Sequence, residues 1–149
     1  MIERSNTMSE KVLLVDDEVD FLDTLSERMR TRGMEVATSS SGAEALKKVE
    51  QESFDVIILD LMMPGTDGLE TLKILKEKKP DLQVILLTGQ ATVEKGIEAM
   101  KLGAMDFLEK PADLSQLTEK IKKAQAKKML LVEKHTEEKI KKLLEEKGW

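Results

Sequence analysis

The chain has 149 residues, of which 40% are apolar, enough for one domain with a hydrophobic core and an appendage. It has no cysteine and one histidine, His135. These counts exclude a disulfide framework, a thiol nucleophile, a cysteine-ligated metal and a multi-histidine site. No apolar run is long enough to span a membrane, and residues 1–11 lack an apolar signal-peptide core, so a cytoplasmic protein is expected.

Charge is distributed unevenly along the chain. Residues 1–111 hold 14 basic and 22 acidic side chains, a net charge of −8, whereas residues 112–149 hold 10 and 7, a net charge of +3. An acidic body repels the phosphates of nucleic acids, and a mixed-sign tail of +3 is too weak to indicate binding to them. We therefore expect no direct nucleic-acid binding by this chain.

Residues 1–10 are predicted to be a flexible N-terminal segment, after which apolar runs alternate with helical patterns. The first helix follows Asp16-Asp17-Glu18 and ends near Gly33. Its apolar face consists of Val19, Leu22, Leu25 and Met29. The second helix is predicted to start at Ser41 as N-cap, with Glu44 as its capping-box partner. The five predicted strands are Val12–Val15, Glu35–Thr38, Phe54–Leu59, Gln83–Leu87 and Met105–Leu108.

Turn signals separate the later elements. Pro64-Gly65 and Asp67-Gly68 precede a third helix that stops before Pro80, and a fourth helix runs from Thr92 to Leu102-Gly103. Strand residues such as Val56–Leu59 are apolar at every position, which is typical of parallel strands covered on both faces. Alternating strands and helices predict an α/β fold: a doubly wound, five-stranded parallel sheet with the flavodoxin-like order 2-1-3-4-5 and an extended C-terminal helix.

The last helical window, residues 112–147, contains no proline or glycine and is over twice as long as such a domain needs. Its apolar spacing falters at Lys128 and His135. The window fits either a solvated helix held by Glu–Lys pairs or a signalling helix that pairs with a copy of itself. The apolar positions are Leu114, Leu117, Ile121 and Ala124 before the interruption, Leu131 within it, and Ile140, Leu143 and Leu144 after it.

Polar residues follow four of the five strands. Asp16 and Asp17 follow the first, Asp60 the third, Thr88 the fourth and Lys110 the fifth. Ligands of open α/β sheets bind at the carboxyl ends of the strands, near the point where strand order reverses. Any one of these residues alone could be a helix cap or a turn residue, but their joint occurrence favours a site.

Three converging carboxylates repel one another, and a hard divalent cation such as Mg²⁺ or a lysine ammonium relieves the repulsion. A cation, a free carboxylate, a hydroxyl and an ammonium together suit phosphoryl transfer, in which the carboxylate is the nucleophile. The metal and the lysine spread the charge on the transferring oxygens.

At these residues the chain resembles the receiver domain of two-component response regulators. The resemblance covers about residues 11–127 and leaves 128–149 as a linker or dimerisation tail. It implies that Asp60 accepts a phosphoryl group from a histidine kinase or phosphotransfer protein. It also implies that Asp17, Asp60 and the Met62 carbonyl hold Mg²⁺, with Asp16 acting directly or through water. The matching segments are Val12–Glu18, Ile57–Gly65, Asp67-Gly68, Leu86–Gly89 and Gly103–Pro111.

The same resemblance implies that Thr88 and Lys110 contact the phosphoryl group and that Phe107 is a rotamer switch coupled to Thr88. Met62 and Gln90 would flank the path of the attacking water. The stretch Ala99–Leu108 is most similar to receivers of NtrC-type, sigma-54-dependent activators, although no P-loop or helix-turn-helix follows. A homodimer through the fourth helix, fifth strand, fifth helix and tail is the expected self-association.

Two other functions compete with such a phosphorylation switch, whose only chemistry would be self-directed phosphoryl transfer and autodephosphorylation. One is a Mg²⁺-dependent phosphohydrolase with an aspartate nucleophile. Haloacid-dehalogenase-like enzymes place Asp-x-Asp after the first strand, a pattern that Asp16-Asp17 does not supply. The other is a structural coiled-coil module with a vestigial acidic cleft.

Overall fold

The computed structural model describes residues 9–63, 67–89 and 93–148. Most of the N-terminal segment, the Pro64-Gly65 turn, Gln90 and the predicted helix start at Thr92 lie outside the described residues. The strands are β1 (Lys11–Val15), β2 (Glu35–Ser39), β3 (Val56–Leu59), β4 (Gln83–Thr88) and β5 (Asp106–Glu109). The helices are α1 (Val19–Thr31), α2 (Gly42–Gln51), α3 (Gly68–Lys78), α4 (Val93–Lys101) and α5 (Leu114–Glu146).

The five strands form one all-parallel sheet in the order β2-β1-β3-β4-β5, which confirms the predicted fold class and strand order. Alternate residues of the central strands enter opposite layers. On one face they pack with α2, α3 and α4, where the buried residues include Leu13, Ile57, Leu86, Val49, Leu72 and Ala99. On the other face they pack with α1 and α5, where the buried residues include Leu14, Ile58, Leu87, Leu25, Met29 and Ile121.

Small differences from the predicted boundaries have local causes. Strand β3 begins at Val56 instead of Phe54. Phe54 is buried in the core ahead of the strand, so its apolar character reflects burial and not strand pairing. Ser41 caps α2 as expected, accepting a hydrogen bond from Glu44 N at 3.2 Å. The Glu44 carboxylate in turn accepts a hydrogen bond from Ser40 N, one residue before the cap.

Helix α5 is 33 residues long and starts at the N-cap Asp113, whose carboxylate accepts from Ser115 N and Gln116 N. Only its first part enters the core, through the residues Leu117, Ile121 and Ala124. Within the described part of the chain, no helix combines the length and apolar character that crossing a bilayer requires.

Beyond Ala124, helix α5 remains in contact with its own domain at the two positions where the apolar spacing falters. Lys128 Nζ donates to the Phe54 carbonyl at 2.5 Å and to Ser53 Oγ at 3.3 Å. His135 Nδ1 lies 3.1 Å from Asp81 Oδ2. These polar side chains therefore interrupt the apolar pattern because they contact the base of the sheet within the same chain.

Candidate functional site

The polar residues that follow β1 and β3 meet at one edge of the sheet because these two strands are neighbours. Asp60 N donates to the Val15 carbonyl at 3.0 Å, which continues the β1–β3 pairing into the site. Each of Asp16, Asp17 and Asp60 offers one carboxylate oxygen, and these three oxygens lie within 4.8 Å of one another. Asp16 and Asp60 are buried, whereas Asp17 is exposed. The predicted convergence of three carboxylates is therefore present.

Local backbone hydrogen bonds orient two of these carboxylates. Glu18 N donates to Asp16 Oδ1 at 2.9 Å, and Met62 N donates to Asp60 Oδ1 at 2.9 Å. Each aspartate thus binds the N–H two residues ahead, as aspartates at turns commonly do. One oxygen of each carboxylate is fixed in this way, which leaves the other for a cation.

Lys110 supplies that cation from the end of β5. Its Nζ lies 2.5 Å from Asp16 Oδ2, 3.0 Å from Glu18 Oε1 and 3.3 Å from Asp60 Oδ2. The lysine side chain is only 12% exposed, so most of its hydration is replaced by these oxygens. Lys110 N also donates to the Thr88 carbonyl at 2.9 Å, which ties the end of β5 to the end of β4.

Burial and neighbouring charges shift the pKa values of Asp16 and Lys110 in the cluster, and the dominant cause differs between the two residues. Burial raises the pKa of the Asp16 carboxyl and the nearby Asp60 charge adds to the rise, although hydrogen bonds from Lys110 and Glu18 N oppose it. Burial alone would lower the pKa of Lys110. Its hydrogen bonds to Asp16 and Glu18, together with the charges of Asp16 and Asp60, outweigh burial and raise that pKa. Lys110 therefore stays charged at neutral pH, whereas the surroundings of Asp16 disfavour the charged form of its carboxyl.

The other predicted site residues lie on β4 and β5. Thr88 is the last residue of β4, is fully buried, and pairs with Glu109 of β5 in the sheet register. Phe107 is half-buried in β5 and packs at the margin of the core. A Cβ added to Gly96 of α4 would lie 3.7 Å from the Phe107 ring, so the ring occupies the space that this glycine leaves.

Sequence reasoning assigned no role to three residues that shape the site. Glu18 appeared only within the acidic motif, yet it is a third carboxylate on Lys110. The ring centroid of Phe21 lies 4.3 Å from Lys110 Nζ. A Cβ on Gly68 would come within 2.7 Å of the Leu61 Cα, so this glycine allows α3 to approach the segment just after Asp60. The acidic run could have pointed to Glu18, but the other two contacts require the folded geometry.

The donor set matches the requirements of a hard divalent cation. Three carboxylate oxygens gather in one small space, and the nearby Asp60 charge contributes to the raised pKa of Asp16, so a metal would relieve repulsion. Mg²⁺ prefers a few carboxylates and retains several waters, which suits a cluster with one exposed member.

A five-stranded parallel sheet with an acidic cluster and a lysine at its carboxyl edge defines a receiver-type α/β domain. The family model of the response regulator receiver domain matches residues 12–122, and the chain belongs to this family.

The comparisons with individual proteins agree with this assignment. The transcriptional regulatory protein ZraR of Escherichia coli K12 is 37% identical over 115 residues, which cover 77% of this chain and 26% of ZraR. The chain therefore spans about a quarter of the length of that relative. The beryllofluoride-activated NtrC4 receiver domain dimer has a TM-score of 0.75 and 37% identity, covering 79% of this chain and 98% of that one.

A structure of NtrX from Brucella abortus in complex with ADP extends the match. It has a TM-score of 0.75 and 27% identity, and the match covers 95% of this chain and 30% of that one. These likenesses support the expected place of the chain among receivers of NtrC-type, sigma-54-dependent activators.

Proposed function

We propose that Asp60 is the phosphoacceptor of this receiver and that a histidine kinase or phosphotransfer protein is the donor. The observation that carries the proposal is the cluster itself: the carboxylates of Asp16, Asp17 and Asp60 lie within 4.8 Å of one another, and Lys110 Nζ lies 3.3 Å from Asp60 Oδ2. A buried carboxylate with one oxygen fixed by a backbone N–H and the other facing a cation is a suitable nucleophile.

In the proposed reaction an Asp60 oxygen forms a bond to the phosphorus of a phosphohistidine while the phosphorus–nitrogen bond breaks. The electron pair of the broken bond stays on the imidazole nitrogen, which then takes up a proton. Asp16, Asp17, Asp60 and the Met62 carbonyl would hold Mg²⁺, which supplies charge neutralisation for the transferring oxygens. Lys110 adds its positive charge, and the Thr88 hydroxyl donates to a phosphoryl oxygen.

The only chemistry proposed beyond this transfer is hydrolysis of the chain's own acyl phosphate. One phosphoryl group per chain is therefore the expected stoichiometry, and turnover of small phosphate esters is not expected. The cytoplasmic location inferred from the sequence stays a prediction.

The proposed output is a change in self-association. Phosphorylation would draw the Thr88 hydroxyl toward Asp60 and let Phe107 turn inward. Phe107 borders an apolar surface of α4 and β5 that includes the exposed side chains of Val93, Ile97 and Met100. A change in Phe107 would therefore alter this surface, which we propose as the homodimer contact together with α5. The dimeric NtrC4 receiver supports the choice of a homodimer.

We also propose the functional division of the chain. In this division, residues 1–10 are an N-terminal segment, residues 11–127 are the receiver, and residues 128–149 are a linker or dimerisation tail. The exposed apolar side chains of the tail support a role in contact with another helix; they are Met129, Leu130, Val132, Ile140, Leu143 and Leu144.

Mass spectrometry after treatment with acetyl phosphate and Mg²⁺ tests the phosphoacceptor. We expect one added phosphoryl group in the wild type and none in Asp60→Asn. Asp55→Asn is a matched control, because it removes a carboxylate from the opposite end of β3, where Asp55 Oδ2 accepts from Lys11 N. Labelling of Asp60→Asn at the wild-type level would refute the assignment.

Analytical ultracentrifugation with and without beryllofluoride, a phosphoryl mimic, tests the output. The full chain and a version ending at Ala126 should differ in their monomer–dimer constants, and beryllofluoride should shift the constant of the full chain. Identical constants in all four conditions would remove the dimer proposal while leaving the phosphoacceptor assignment intact.

A further inference from the structure

The Lys110 ammonium is enclosed on several sides. Carboxylate oxygens of Asp16, Glu18 and Asp60 lie between 2.5 and 3.3 Å from Nζ. The Phe21 ring, in the first turns of α1, lies with its centroid 4.3 Å from the same atom. An ammonium has three N–H donors, and the three carboxylates can accept all of them. The ring is a fourth close contact of the ammonium, beside the three carboxylates.

This ring contact has the geometry of a cation–π interaction, which requires a cation within about 6 Å of the ring centroid. The negative face of the aromatic quadrupole attracts the ammonium without using any carboxylate lone pair. Phe21 also packs against the core layer formed with α1 and α5, so the ring is held in place by its own apolar contacts.

The contact gains importance when a metal occupies the acidic cluster. The three carboxylates that could bind a divalent cation are Asp16, Asp17 and Asp60, so two of the three carboxylates on Lys110 would be shared with that cation. Glu18 and Phe21 lie outside that set and keep their contacts with the lysine. Glu18 is 64% exposed and therefore well hydrated, which weakens its hold. Lysine has a flexible four-carbon stem, so it needs other contacts to keep a defined position.

We propose that Phe21 is a positioning residue for Lys110: its aromatic face holds the ammonium beside Asp60 while the acidic cluster binds metal and the phosphoryl group arrives. The inference rests on the proposed function of Asp60 and adds a requirement at residue 21 for an aromatic side chain. An ordinary packing role would require only an apolar side chain of similar size.

Two substitutions separate the two roles. Phe21→Leu keeps an apolar side chain but removes the ring, and Phe21→Tyr keeps the ring. With acetyl phosphate and saturating Mg²⁺, we expect Phe21→Leu to slow phosphorylation about two- to fivefold and Phe21→Tyr to remain near the wild-type rate. In a Lys110→Met background, Phe21→Leu should cause no further slowing, because its effect acts through the lysine.

Phe54→Leu is a matched control. Lys11 Nζ lies 5.4 Å from the Phe54 ring centroid, and this pair is at the opposite end of β1 from the acidic cluster. The substitution removes a buried aromatic ring and lowers stability, but the phosphorylation rate of the folded protein should not change. Circular dichroism establishes that each variant is folded at the assay temperature.

A second readout does not depend on phosphorylation. In the metal-free protein, the ring current of Phe21 should shift the ε-methylene protons of Lys110 upfield, and this shift should vanish in Phe21→Leu and persist in Phe21→Tyr. An unchanged Lys110 resonance in Phe21→Leu, or equal slowing by Phe21→Leu in the wild-type and Lys110→Met backgrounds, would overturn the inference. Absence of phosphorylation in the wild type would instead refute the proposed function, and the resonance would still decide the ring contact.

Discussion

Removing the positive charge of Lys110 should expose how strongly the acidic cluster depends on it. In Lys110→Met the stem is kept but the ammonium is lost, so Asp16 and Asp60 remain close and buried without a cation. Removal of one partner from a buried ion pair typically costs 3–5 kcal/mol, and the exposed Glu18 adds little. Because one member of the cluster, Asp17, is open to water, we expect a loss near the lower bound, about 3 kcal/mol at pH 7 without divalent cations.

Mg²⁺ should reverse part of this loss, because it replaces the missing positive charge. A cation at ten times its Kd stabilises the folded state by about 1.4 kcal/mol, and it meets no competing ammonium in Lys110→Met. We therefore expect a larger Mg²⁺-induced stabilisation in Lys110→Met than in the wild type at equal Mg²⁺ concentration.

Urea unfolding followed by circular dichroism, in EDTA and in Mg²⁺, measures both effects. Lys120→Met is the matched control, since Lys120 forms a partly exposed ion pair with Asp106 away from the acidic cluster. Its removal should cost about 1 kcal/mol or less and leave the Mg²⁺ effect unchanged. A free energy of unfolding for Lys110→Met in EDTA within about 0.5 kcal/mol of the wild type would refute the reasoning, as would a smaller Mg²⁺ effect than in the wild type.

Two further predictions concern Gly68, which lies beside the cluster, and Asp16, which belongs to it. Gly68→Ala should lower the free energy of unfolding by about 1–3 kcal/mol in urea titrations, because the new Cβ would lie 2.7 Å from the Leu61 Cα. Gly89→Ala should change it far less, because no atom of the described residues lies within 4 Å of a Cβ added there, and equal losses would contradict the steric argument. The pKa of Asp16 is higher in the folded state than its ordinary value of 3.8. The protonated carboxyl therefore stabilises the folded state below pH 3.8, and this stabilisation is lost as the pH rises through the raised pKa. The stability of the wild type relative to Asp16→Asn should therefore fall over that window without Mg²⁺, and a difference that grows with pH would contradict the assigned cause.

Much of the fold follows from the sequence because the spacing of the apolar residues and the positions of the polar residues indicate the same arrangement of strands. Fully apolar runs such as Val56–Leu59 predict strands covered on both faces, and the polar residue after each run marks the carboxyl edge of the sheet. Asp16, Asp60 and Lys110 could be expected to meet for this reason before any coordinates. The parallel sheet, its order and its long final helix agree with the prediction.

The remaining features depend on side-chain direction and on contacts between distant segments. Phe21 is not among the residues predicted for the apolar face of α1, and nothing local to it indicates a contact with Lys110, 89 positions later. The requirement for Gly68 arises from the approach of one backbone to another, which a turn signal does not describe. The faltering apolar spacing at Lys128 and His135 is compatible with either a solvated helix or a self-pairing one, and only the folded structure shows that both side chains contact the base of the same domain.

The contacts of Lys128 and His135 also determine how far the end of helix α5 can move relative to the domain. From Ala124, the last buried residue, to Glu146 the helix extends about 33 Å, but from His135 it extends only about 16 Å. A tilt of the helix about His135 would thus displace its end half as far as the same tilt about Ala124. The contacts of Lys128 and His135 therefore leave only the part of α5 after His135 without a polar contact to the described domain, and they shorten the free end of the helix by about half.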